Sequence, residues 1–260
     1  KFTWRAALRY NFAERSNVYV TYGTGFKSGV FNAFGTSRTP VNPETIKALE
    51  GGIKADPVRW LRTNVSVYRY WYDNLQVTAR DANNSFVLQN AATAKIYGGE
   101  FEVTATPLPD LNIRASAVYN HSTYTKFPGA QAFIPLPGGG NLVTAEDASG
   151  NRLIRAPRYT FSIGGDYSVA VGNGRLNFNT NLFVSDKVYY DFANTLEAGA
   201  YTMLAAEIGW TPENSPLTVG IFGSNLTNAK VPSQIQGGPT ATQVMYERPR
   251  VIGARAEYRF

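Results

Sequence analysis

Strict alternation of apolar and polar side chains over long runs constrains this chain more than any other feature. In residues 2–12 the even positions are Phe2, Trp4, Ala6, Leu8, Tyr10 and Phe12, and the odd ones are Thr3, Arg5, Ala7, Arg9 and Asn11. Successive side chains of an extended strand point to opposite sides, so the segment has one apolar and one polar face. Strands in soluble domains usually run about 5–6 residues. The run over residues 2–12 instead matches the roughly 9–11 residues with which a tilted strand crosses hydrocarbon.

The pattern recurs at 61–71, 97–105, 111–119, 159–169, 176–184 and 252–260, and less regular strands fit at 17–27, 44–56, 199–211 and 216–226. That predicts about eleven strands. The apolar face is rich in aromatics, small residues and Thr, whereas the other face carries Arg, Glu and Asn at mid-strand. A soluble sandwich would instead fill its apolar face with Leu, Ile and Val. Apolar outward to lipid and polar inward to a wet lumen is the transmembrane-barrel arrangement. Short turns are predicted at 13–16, 56–58, 106–110, 171–174 and 211–216, with long loops at 28–43, 125–154, 186–198 and 227–246. The connection near 81–85 is short, but its flanking strands extend well past membrane length. Short turns on one rim and long loops on the other fit periplasmic and extracellular sides. Phe12, Trp60, Trp210 and Tyr258 then mark one interface, and Trp4, Trp71 and Tyr159 the other. Glycines recur at Gly51-Gly52, Gly98-Gly99, Gly164-Gly165, Gly209 and Gly253. They let a strand bend or a second body approach the wall.

Composition removes most other classes. Charged residues are 17%, against about 25% in typical globular chains, and no apolar run approaches the roughly 18 residues of a membrane-spanning helix. The 24 Gly and 14 Pro interrupt long helices. With no Cys and one His, His121, neither a thiolate metal site nor a catalytic triad is expected. No cofactor is called for. The net charge of +6 is scattered, so nucleic acid is not an expected partner. No signal peptide opens the chain, so one was removed or the chain starts inside something longer.

Four segments carry a family resemblance. Val18-Tyr-Val-Thr-Tyr-Gly-Thr-Gly-Phe-Lys-Ser-Gly-Val-Phe-Asn32 and Asn42-Pro-Glu-Thr-Ile-Lys-Ala-Leu-Glu-Gly-Gly-Ile-Lys54 resemble barrel segments of TonB-dependent outer-membrane transporters. Asn225-Leu-Thr-Asn228 is similar to that family's Asn-Leu-Thr-Asp/Asn signature, and Pro249–Phe260 to its terminal strand. The resemblance implies a 22-stranded barrel of the bacterial outer membrane, filled by an N-terminal plug. It implies uptake of a scarce nutrient (iron–siderophore, haem, cobalamin or glycan), energised through TonB by way of the plug. It also makes Phe260, with Tyr258, the C-terminal signal for barrel assembly. The plug and TonB box are missing from these residues.

No catalytic constellation is present. Glu100 and Glu102 read as wall carboxylates, and a hairpin turning about Leu108 would set Glu102 opposite Arg114, a pairing worth about 0.2–1 kcal/mol. Arg5, Arg9, Arg255, Glu257 and Arg259 read as wall or plug-facing charges. Substrate contacts are expected at the long-loop end of the lumen, from Tyr68, Tyr70, Tyr72, Asn74, Arg155 and Arg158. Aromatics with Arg suit a bulky anionic ligand. Loop 125–154, with Pro135, Pro137 and Gly138–Gly140, has the composition of a mobile extracellular loop that either closes over a ligand or stays disordered.

A ligand-gated transporter is the leading function, with no enzymatic activity. The alternatives are a passive porin-like channel, a structural outer-membrane partner in a larger assembly, and a soluble carbohydrate-binding β protein. Single-chain bacterial barrels have even strand numbers, and an open edge in lipid costs several kcal/mol per unpaired group. Eleven strands are half of 22. Residues 1–260 are therefore expected to be the all-β, antiparallel C-terminal half of a transmembrane barrel. The N-terminal strands and plug are expected in the same or a separate chain.

Overall fold

The computed structural model describes residues 1–31, 40–80 and 86–259. Phe260 and the connection at 81–85 lie outside the described residues. The wall is one antiparallel sheet of eleven strands. In chain order these are β1 (Arg5–Ala13), β2 (Ser16–Lys27), β3 (Glu44–Val58), β4 (Leu61–Arg80), β5 (Phe86–Leu108), β6 (Leu111–Lys126), β9 (Tyr159–Val171), β10 (Gly174–Ser185), β13 (Tyr201–Pro212), β14 (Leu217–Ser224) and β17 (Val251–Tyr258). Each pairs with its neighbours along the chain, so the predicted strands are all present and in sequence order. β1 and β17 have one neighbour each, and the sheet does not close on itself.

Register confirms the two faces. The rung Thr21–Glu50–Tyr68–Gly98–Asn120 is inward, and the rung Tyr22–Leu49–Arg69–Tyr97–His121 beside it is outward. Val67, Ile221 and Leu8 are 62%, 62% and 71% exposed, far more than an apolar side chain facing water normally is, because the outward face has no protein against it. Trp4 and Trp71 both lie at the long-loop end, on the rung that carries Thr24 and Lys47, and Trp4 meets Tyr22 with ring centroids 5.3 Å apart.

Two turns sit later than predicted. Val58 pairs with Leu61 around Arg59-Trp60, and Leu108 pairs with Leu111 around Pro109-Asp110, where Asp110 has φ +62°. In both hairpins the register breaks just before the turn, between Ala55 and Val58 and between Ala105 and Leu108. The residues there are Asp56-Pro57 and Thr106-Pro107. Proline lacks an N–H, so a bulge accommodates it without losing a ladder bond. Two successive hairpins thus share the pattern Ala-x-Pro-x-x-x-Leu.

This later turn corrects the expected Glu102–Arg114 pair. Glu102 lies opposite Ser116, and Arg114 opposite Thr104. The two remain diagonal on adjacent strands, but each bonds elsewhere: Asn64 donates to Glu102 (3.2 Å), and Arg114 pairs with Asp166 on β9 (2.6 Å).

The glycines resolve into specific notches. A Cβ on Gly52 would lie 2.8 Å from the Tyr19 hydroxyl, one on Gly98 2.7 Å from the Tyr68 hydroxyl, and one on Gly253 2.7 Å from the Phe222 ring. The body that approaches the wall at these places is an aromatic ring from the neighbouring strand, laid across the inner face. Substituting Gly98 with Ala also presses its Cβ into the Tyr119 carbonyl oxygen, whereas the nearest atom to a Cβ at Gly99 is 3.2 Å away. Gly98→Ala is expected to cost about 1–3 kcal/mol and Gly99→Ala less, read as denaturant midpoints of the bilayer-inserted protein.

Candidate functional site

The long-loop end of the inner face carries most of the structure that sequence reading left as loop. β4 and β5 run on past the other strands. At Asn74 (φ +55°) the β4 register breaks between Tyr72 and Leu75, and the facing alternates anew beyond it. Gln76, Val77 and Ala79 are buried beyond the break, and Tyr72 and Leu75 pack against a small core. That core holds Val77, Ala94, Tyr124, Phe127, Ala148 and Phe192. Its three aromatic rings meet edge-on, with centroids 5.0–6.1 Å apart.

Three loops close over this core as hairpins. β7 (Ala130–Pro135) pairs with β8 (Asn141–Glu146), β11 (Val188–Tyr189) with β12 (Glu197–Ala198), and β15 (Pro232–Gly237) with β16 (Thr242–Tyr246). Loop 125–154, expected to close over a ligand or stay disordered, carries the β7–β8 hairpin. The hairpins are stitched to one another. Asn141 donates from its side chain to the Gly238 carbonyl (2.7 Å) and from its backbone to that of Pro239 (2.8 Å). Arg152 and Asn194 exchange two hydrogen bonds (2.8 and 3.0 Å). Tyr190 Oη donates to the Pro232 carbonyl (2.8 Å). At the base, Ser149 Oγ accepts from the Phe127 amide (2.9 Å) and donates to Asp147 (2.5 Å). The Asn225-Leu-Thr-Asn228 motif is a turn of the same kind. Asn225 and Asn228 have φ +47° and +54°, and the Asn225 amide group bonds to Ala229 and to the Arg248 carbonyl.

Between the hairpins lies a cavity of about 360 Å³, lined by Thr78, Gln131, Arg155, Tyr190, Gln234 and Gln236 among others. Arg155 (φ +54°) is anchored by its amide to the Tyr189 carbonyl (2.8 Å), and its guanidinium sits 5.5 Å from the centre of the Tyr190 ring. Burial pushes the Tyr190 hydroxyl above its ordinary range, with Arg155 pulling the other way.

The six predicted contact residues do not form one cluster. Tyr68 and Tyr70 lie on the inner wall with stacked rings 5.0 Å apart. Arg158 is exposed, and its carbonyl accepts from Asn120 on the rung of Tyr68, across three strands. Arg155 lies in the inter-loop cavity. Tyr72 supports the core, and the carbonyl of Asn74 accepts from the Asn90 side chain (2.9 Å). The cavity residues Tyr190, Gln234 and Gln236 escaped sequence reading. The aromatic run Tyr189-Tyr190-Asp191-Phe192 inside a loop was the available signal.

Toward the short turns the inner face is charged and paired: Asp56 with Arg15 and Arg62 (2.8 and 2.9 Å), Asp110 with Arg175 (2.6 Å), and Glu207 with Arg255 (2.5 Å). Asp166 takes Asn179 as well as Arg114. Two grooves of about 850 and 510 Å³ run between these pairs. Glu257 pairs with Arg259, and Arg9 donates to Asn11. Among the described residues no group of three or more His, Asp or Glu could hold a metal ion.

A family model, TonB dependent receptor-like, beta-barrel, matches residues 1–226. The ferrichrome outer membrane transporter/phage receptor of Escherichia coli (strain K12) is 24% identical over 228 residues, which are 87% of this chain and 27% of that protein. The ferric yersiniabactin uptake receptor from Yersinia pestis superimposes with a TM-score of 0.81 at 17% identity, over 98% of this chain and 37% of its own. The siderophore receptor PiuA from Acinetobacter baumannii gives 0.75 at 20% identity, over 98% and 35%. The chain thus spans about a quarter of the curated relative and about a third of these solved structures.

Two outcomes follow for the loop body. Phe127, 1% exposed, closes the aromatic core. Phe127→Ala should cost about 3–5 kcal/mol and speed hydrogen exchange at Ala148 and Gly150, leaving Ile113 in the wall unchanged. The Ser149 hydroxyl and amide hold the Asp147 carboxyl below the usual carboxylate range. A lowered value in the folded state stabilises it above the ordinary carboxylate pKa, and the effect is lost as pH falls through the lowered value. In Ser149→Ala the carboxyl should titrate closer to its ordinary value, as NMR titration of Asp147 would read.

Proposed function

The chain belongs to the TonB-dependent receptor β-barrel family, and we propose that it forms the C-terminal part of the wall and the extracellular loops of a nutrient transporter of the bacterial outer membrane. In this reading the plug and the remaining strands come from outside residues 1–260. The plug passes energy from TonB, and the cargo is a siderophore-type iron complex. Support for the cargo class comes from the names of the similar proteins: a ferrichrome transporter, a ferric yersiniabactin uptake receptor and a ferric citrate transporter.

The observation that carries the reading is the asymmetry of the two ends of the inner face. At the short-turn end, paired charges line grooves fit to seat another polar body. At the other end, a loop body encloses a cavity with one guanidinium, Arg155, among amides and aromatic rings, where the one lining carboxylate, Asp191, is already taken up by Thr195 and the Leu196 amide. Arg155 supplies charge-assisted hydrogen bonds to an anionic complex. Tyr68, Tyr70 and Arg158 receive it further down the lumen, and Tyr72 and Asn74 hold the wall that presents them.

Arg155→Ala in the intact transporter is expected to raise the Kd for the ferric complex about 10-fold or more, the loss of one charged hydrogen bond. Tyr70→Ala should weaken binding less. Unchanged affinity in both variants would remove these residues from the site. Uptake of the iron complex in cells lacking TonB should stop; uptake that continues would make the barrel a passive channel.

A further inference from the structure

The outward face of the wall is apolar on most strands. On β1, β2, β9, β10, β13, β14 and β17 its paired positions hold no charged side chain. On β3, β4 and β5 it holds Lys47, Arg69 and Lys95. Lys47 and Lys95 flank Trp71 on one rung, and Arg69 lies one outward position below Trp71 with its guanidinium 5.1 Å from the indole centre. Neighbouring strands are about 4.8 Å apart, which sets the two lysine backbones at about 10 Å. All three cations are exposed, and none makes an ion pair among the described residues. The nearest outward acid, Asp73, is one outward position above Trp71. Leu49 and Tyr97 flank Arg69 on its own rung, and with Val67 and Phe101 below them they are bare, 39–62% exposed.

Unpaired cations bordering hydrocarbon are costly unless they reach an anion or water at the interface. Tryptophan marks that interface, and the panel faces the lipid side, away from the lumen. We propose that Lys47, Arg69 and Lys95 form a binding site for the phosphate of an outer-leaflet lipid headgroup. The lipid's acyl chains lie along Leu49, Val67 and Phe101. Arg69 offers its planar fork and the lysines two point charges, a set suited to phosphate. This inference goes beyond the transport reading and depends only on which face of the wall meets lipid.

The test is native mass spectrometry of the intact protein in neutral detergent, titrated with diphosphoryl lipid A and with its dephosphorylated form. The wild type should retain the diphosphoryl lipid at least 10-fold better. The variant K47Q/R69Q/K95Q should lose that preference, while R5Q/R9Q/K54Q, which removes three inward charges, should keep it. Heat-modifiable electrophoretic mobility reports folding, and Lys95→Gln alone should show an intermediate loss if the triple variant does not fold. Equal retention of the two lipids by the wild type, unchanged preference in the outward variant, or equal loss in the inward control would overturn the proposal. Iron uptake is not expected to change in any of these outcomes, so transport and lipid binding fail separately.

Discussion

Everything in this molecule depends on the need to pair backbone N–H and C=O groups where no water is present. In hydrocarbon each unpaired group costs several kcal/mol, and only helices or continuous strand ladders avoid that cost. The chain meets the requirement with eleven strands laid side by side in sequence order. Side chains then have one remaining choice, lipid or lumen. Because the side-chain period is two, a single register fixes that choice for all of them. Bulges are placed where they cannot disturb it: at the short turns, where Pro57 and Pro107 donate no hydrogen bond, and at Asn74, where β4 has already left the apolar band.

The two faces solve different packing problems. Outward, side chains need only be apolar, since lipid fills any shape. Inward, Tyr19, Tyr68 and Phe222 lie flat on glycines of the next strand. Charges on that face are neutralised across strands, as with Arg114 and Asp166. Among the described residues, a core of the ordinary kind forms above the wall, around Tyr124, Phe127 and Phe192. The loops are held by that core and by side chain–backbone hydrogen bonds such as those of Asn141 and Asn225.

Alternation made the wall legible in the sequence across the apolar band, but not where β4 and β5 run on beyond it to Arg80 and from Phe86, past the residues 61–71 and 97–105 that alternate most regularly. Turn positions were less legible. Asp56-Pro57 and Thr106-Pro107 look like turn residues, yet they are bulges, and the chain reverses two residues later. That displacement is why Glu102 and Arg114 are diagonal instead of opposite. The loop hairpins were not legible because their strands are short and their partners are distant in sequence. Phe127 meets Phe192, and Asn141 meets Gly238. For the same reason the sequence did not indicate how the expected contact residues group in space. Strand parity places Tyr68 and Tyr70 inward, but nothing local to Arg155 indicates that it stands over Tyr190.

The shared Ala-x-Pro-x-x-x-Leu bulge-turns, beginning at Ala55 and at Ala105, carry a consequence for how such walls change over time. Each wall strand bonds only to its sequence neighbours, so a hairpin is a self-contained unit of perimeter. Inserting or deleting one alters the circumference by two strands. Every other strand keeps its direction, its register and the medium each side chain faces. Circumference is therefore inherited in steps of one hairpin, and the loop above each step is free to diverge without renegotiating the wall beneath it.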